Sequence, residues 1–139
     1  MTRSRDPCAS SSGARVTLAT SGDSRHPADC IVDGDPETFW VTTGMFPQEF
    51  IISLSSPQRI NSITLQSFLV QSLRIEKSIS KEPVDFECFV EKDLEPAEGH
   101  LQNEEFPLNG MQVAHLRFVI LSGYDHFVAV RSVSAEAGV

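Results

Sequence analysis

The residues best able to do chemistry lie close together between His26 and Trp40. Asp33-Gly34-Asp35-Pro36 is a turn signal, because Gly34 tolerates positive φ and Pro36 restricts the backbone that follows Asp35. Thr38 follows, then the apolar, β-favouring run Phe39-Trp40-Val41. A loop that curls back here presents the Asp33 carboxylate, backbone carbonyls and the Thr38 hydroxyl. That all-oxygen donor set suits a hard cation such as calcium. A tight turn with merely solvated acids carries the same signature, and spacing does not separate the two readings. An EF-hand is excluded, since with Asp33 as first ligand the sixth loop position, which must be Gly, falls on Thr38.

Other chemistries lack a constellation. Cys30 has no evident basic partner, His26 being four residues away in a Pro-containing segment. Cys88 falls on the apolar face of an alternating run, where a buried, inert thiol is expected. His100, His115 and His126 show no metal-ligand spacing, and no Gly-rich phosphate loop is present. Asp93 and Glu95 belong to a loop-like acidic stretch and do not identify a glycosidase pair. The expectation is a protein that is not an enzyme.

The whole chain narrows the classes further. Its 139 residues make one domain by size. Nineteen acids against eleven bases give a net charge of −8, a poor match to nucleic acid or anionic membranes. No apolar run reaches membrane-spanning length, and the polar N-terminus has no signal-peptide core. Three widely spaced cysteines without CxxC pairing argue against a disulfide framework or a zinc site. No Asn-x-Ser/Thr acceptor occurs, so the chain reads as cytosolic.

The elements that must position the loop read as strands. Residues 1–14 are small and polar, a flexible lead-in, and 15–139 form the single domain. Arg15–Thr20 is a short β run, and His26–Val32 forms one helical turn. Phe50, Ile52 and Leu54 alternate, and Ser55-Ser56-Pro57-Gln58 then breaks the chain. Residues 59–78 exceed one strand, so two are expected with a bend near Val70-Gln71. Val84–Glu91 alternates, Asp93–Gly110 reads as loop or irregular strand, and Leu116, Phe118 and Ile120 alternate again. Phe127–Val133 is the final strand. With no sustained helical period, an antiparallel β-sandwich follows. Its expected core is Trp40, Phe50, Ile52, Leu54, Ile63, Leu65, Phe86, Leu116, Phe118 and Ile120.

The order of these features resembles a known family. Asp33-Gly34-Asp35 through Thr38-Phe39-Trp40, then Pro47–Leu54, Ile60–Leu65 and Leu116–Ile120, resembles the all-β discoidin/galactose-binding-like (F5/8 type C-like) jelly roll. Thr42–Ile52, Lys81–Phe86, Asp125-His126-Phe127 and Ser132–Glu136 look more specifically like the intraflagellar transport protein 25 family, also called heat shock protein beta-11. The resemblance implies a non-enzymatic jelly-roll subunit of intraflagellar transport complex B, in the cilium and cytoplasm. Its implied partner is a Rab-like small GTPase subunit, intraflagellar transport protein 27, and its implied role includes export of signalling receptors and the BBSome. It also implies a Ca2+ site with Asp33 and Thr38 as ligands. Cys30 stands where the family commonly has Asn and would contribute a carbonyl, as would Asp35, and Glu136 is the candidate near-terminal acid. A carbohydrate- or lipid-binding module of the same fold is the alternative, with Met45-Phe46-Pro47 and Tyr124–Phe127 at one end. Met45, Phe46 and Phe127 are equally candidates for a protein partner.

Overall fold

Two strands are far longer than the rest, and they shape the molecule. The computed structural model describes Cys8 and residues 13–20, 28–33, 37–42, 45–96 and 101–137. Its strands are β1 (Arg15–Ala19), β2 (Trp40–Val41), β3 (Gln48–Phe68), β4 (Val70–Ser78), β5 (Glu87–Asp93), β6 (Gln102–Gly123) and β7 (Ala129–Ala137), with a 3-10 turn at Ala28–Ile31. All pairings are antiparallel, in the order β2-β7-β3-β6-β4-β5 with β1 also on β3.

β3 and β6 each belong to two layers. The first half of β3 pairs with β1 and with the second half of β6, which pairs onward to β4 and β5. The second half of β3 lies between β7 and the first half of β6, and β2 borders β7. The crossing occurs where the register jumps from Ser53↔His115 to Gln58↔Val113. Ser55-Ser56-Pro57-Gln58 is therefore a bulge inside one long strand, not the break the sequence led us to expect.

Between the layers lies the apolar core. Trp40, Phe50, Ile52, Leu54, Ile63, Leu65, Leu116, Phe118 and Ile120 are all buried, as their alternation predicts. Trp40 meets Phe50 edge-on at 5.3 Å, and Phe50 stacks on Phe118 at 4.9 Å. Cys8, inside the stretch read as lead-in, is fully buried in the same core.

Several expectations are corrected. Phe86 is half-buried and lies over the Arg117 guanidinium, 4.5 Å from its centre, on the outer face of the sheet. Cys88 is exposed, because a register shift between Ile75 and Glu76 sets it opposite Glu76, while Phe89 and Val90 pack against the core. The bend expected at Val70-Gln71 falls at Leu69, whose φ is 67°, and Gln102 braces it by accepting from Val70 N and donating to Val70 O. Residues 102–110 are strand despite Pro107 and Asn109-Gly110, and they bury Phe106 and Leu108. The first half of β6 pairs only with β3, and on such an edge the missing N–H of Pro107 breaks no ladder bond. Asn109 and Gly110, both at positive φ, form a bulge there. The last strand begins at Ala129, later than expected, and runs to Ala137.

Candidate functional site

The oxygen-bearing loop is held by what is buried on either side of it. Ile31 and Val32 anchor its entry and Trp40 its exit, all within the core. Val32 N donates to Asp29 O at 3.2 Å, closing the 3-10 turn. With both ends fixed, Asp33 and Thr38 are brought together, five residues apart in sequence. The Thr38 hydroxyl donates to both Asp33 carboxylate oxygens, at 2.9 and 2.7 Å. Asp33 is exposed and Thr38 half-buried, so the pair opens to water.

Each remaining member of the expected ligand set has a definite place or lies beyond description. Cys30 is half-buried in the 3-10 turn. Glu136 is exposed on β7, paired in register with Ser62. β7 packs against the 3-10 turn, which brings the last strand to the loop. Asp35 and His26 lie outside the described residues. Among the described residues no three of His, Cys, Asp and Glu converge on a metal-holding point. The donors that do meet are a carboxylate and a hydroxyl, which fit a hard cation completed by carbonyl oxygens and not a soft, sulfur-seeking one.

Sequence reasoning missed a second polar constellation, on the outer face of the β1-β3-β6-β4-β5 layer. The Ser53 hydroxyl is 2.7 Å from His115 Nδ1 and 3.0 Å from Thr17 Oγ1. His115 Nε2 faces the carbonyls of Ser80 and Lys81 at 3.1 and 3.2 Å. Carbonyls can only accept, so Nε2 carries a proton and, in the neutral ring, Nδ1 accepts from Ser53. This resembles a nucleophile and its base, but both residues are buried. Their hydrogen bonds tie the loop after β4 to the sheet. Beside them Glu76, 7% exposed, is clamped by Arg117, whose Nε is 2.5 Å away, and by Arg74 Nε at 3.2 Å. No sequence signal pairs these residues, since 62 positions separate Ser53 from His115 and 41 separate Glu76 from Arg117.

One end of the sandwich carries exposed apolar groups. Met45 is 89% exposed and Tyr124 and Phe127 each 42%. Phe46 is half-buried against Gly123, where an added Cβ would meet its ring at 2.8 Å and the Leu69 carbonyl at 2.9 Å. Gly123 is thus required for this close approach. Gln48 Nε2 donates to Met45 O at 2.5 Å and holds the turn beneath the methionine.

Two antiparallel layers with an oxygen-donor loop at their edge define a discoidin-like module, and the family model of the F5/8 type C domain matches residues 9–133. Solved structures share the architecture. A family 32 carbohydrate-binding module from Clostridium perfringens NanJ, in complex with galactose, has a TM-score of 0.79 at 14% identity, covering 96% of this chain and 98% of that one. A chitosan-binding module from a Paenibacillus chitosanase/glucanase also has a TM-score of 0.79, at 16% identity over 94% and 98%. Such low identity speaks for the fold alone.

Sequence relatives are more specific. The Homo sapiens intraflagellar transport protein 25 homolog is 57% identical over 137 residues, 99% of this chain and 95% of that protein. Chlamydomonas reinhardtii intraflagellar transport protein 25 is 37% identical over 134 residues, 96% and 70% of the respective chains. The chain belongs to the intraflagellar transport protein 25 family.

Proposed function

We propose that this chain is a non-enzymatic subunit of intraflagellar transport complex B, working in the cilium or flagellum and the cytoplasm by binding a Rab-like small GTPase subunit, intraflagellar transport protein 27. The observation that carries the reading is family membership at 57% identity across nearly the whole length of both proteins. The proposed role includes export of signalling receptors and the BBSome. The buried Ser53–His115 pair is consistent with it, because its polar atoms serve the fold and not a reachable substrate. No helix among the described residues is long and apolar enough to cross a membrane.

The second part of the proposal is a structural calcium ion at the loop, supported by the meeting of Asp33 and Thr38. Asp33 and Thr38 would hold it through side-chain oxygens, Cys30 and Asp35 through carbonyls, and Glu136 from the last strand. Calcium supplies no chemistry to a substrate here. It would tie the loop to β7 and stabilise the folded state by mass action.

The test is co-expression with the GTPase subunit, followed by size exclusion with light scattering. A one-to-one complex, burying on the order of 1,600 Å² in total, is expected. Folded monomers that stay apart would overturn the reading, and binding on a carbohydrate array in their place would support a sugar-binding module.

A further inference from the structure

The crossing of β3 between layers leaves a short, mostly exposed piece of chain outside the β3–β6 ladder. From Ser53↔His115 to Gln58↔Val113 the partner strand advances by two residues while β3 advances by five. Residues 54–57 are therefore looped out opposite Ala114. Leu54 is buried and anchors the bulge, whereas Ser55, Ser56, Pro57 and Arg59 are exposed. Pro57 removes a backbone donor at this point and biases Ser56 toward extended backbone.

We infer that Ser56 is a phosphorylation site for a proline-directed kinase, read through Pro57 and Arg59. Of the eight prolines in the sequence only Pro57 follows a Ser or Thr. A kinase of this class accepts the ring directly after the target hydroxyl, where other residues present an N–H that would lack a partner. A basic side chain three residues after the target supplies the charge contact, and Arg59 occupies that position. No acid lies between Phe50 and Arg59, and across the ladders Ser53 faces Arg15 on β1 and His115 on β6. This corner is thus locally basic on a chain of net charge −8, and it suits a dianionic product.

In the step, Ser56 Oγ attacks the γ-phosphorus of Mg-ATP held by the kinase. The new Oγ–P bond forms as the bond from that phosphorus to the β,γ-bridging oxygen breaks. ADP leaves with the bond electrons, and the hydroxyl proton passes to the kinase's catalytic aspartate.

The experiment treats the folded full chain with a purified kinase of the cyclin-dependent class and Mg-ATP, and reads phosphate by intact mass and peptide mapping. One phosphate is expected, on Ser56. Ser56→Ala should abolish it, Ser55→Ala should leave it, and Arg59→Ala should slow it roughly tenfold, the worth of one charge-assisted contact. A peptide spanning residues 50–62 separates motif from accessibility. If the peptide is modified and the folded chain is not, the inference is overturned, as it is if phosphate appears elsewhere or if neither is modified. Circular dichroism of each variant confirms that a lost signal reports recognition and not unfolding.

Discussion

Two polar constellations in this molecule differ in how their groups are satisfied. At the loop, Thr38 and Asp33 meet across five residues and remain open to water. On the outer sheet face, Thr17, Ser53 and His115 bond in a chain that ends on the Ser80 and Lys81 carbonyls, and Glu76 pairs with Arg117 beside them, with Ser53, His115 and Glu76 buried. An exposed pair can exchange its partners for a ligand at little expense to the fold. A buried network cannot, because each broken bond leaves a desolvated group unpaired. The first arrangement is therefore suited to binding and the second to stability.

The apolar core sets the scale against which both can be measured. Phe118→Ala removes the ring that stacks on Phe50 and should lower unfolding free energy by about 3–5 kcal/mol in chemical denaturation. Calcium comes next: at a hundredfold excess over its dissociation constant it should add about 2.7 kcal/mol to the wild-type chain. Asp33→Ala should abolish that gain, and calorimetry on chelator-stripped protein should show no binding to the variant. Equal melting temperatures with calcium and with chelator in the wild type would remove the distinction between the two regions.

Within the buried network, Glu76→Ala should destabilise by about 2 kcal/mol, reduced from the fully buried case because both arginines reach solvent. Its calcium affinity should be unchanged. His115→Ala frees the Ser80 and Lys81 carbonyls and should cost about 1–2 kcal/mol. It should also speed amide exchange in the loop after β4. The smallest effect should be that of Asp33→Ala in chelator, below about 0.5 kcal/mol, since the carboxylate is exposed and water can take its place as a partner. A large loss there would show that the loop serves the fold as much as the buried network does.

How readable each region was follows from the same contrast. Period-two alternation marked Phe50, Ile52, Leu54, Leu116, Phe118 and Ile120 as one buried set, because facing direction along a strand is a local property. Turn chemistry at 33–36 marked the loop, and Thr38 was near enough in sequence to be read with Asp33. Cys88 was misplaced because a bulge at Phe89, in its own strand, changes which side chains face inward, and Phe86 because β5 begins only at Glu87; both depend on pairing with β4. Pro107 and Asn109-Gly110 looked like the end of structure, yet an edge strand accommodates them as a proline without a ladder bond and a positive-φ bulge.

Composition, alternation and turn residues, all short-range properties, were enough to establish an all-β sandwich with an acidic oxygen loop and no evident catalytic motif. Pairings over long separations required the folded chain. Ser53 met His115, and Glu76 met Arg117, only once β3 and β6 had crossed between layers and their register had been set. Register is chosen by how the whole core packs, and a one-residue slip would carry every side chain of a strand to the opposite face. That is why the exposed Asp33–Thr38 loop could be read along the chain while the buried polar network could not.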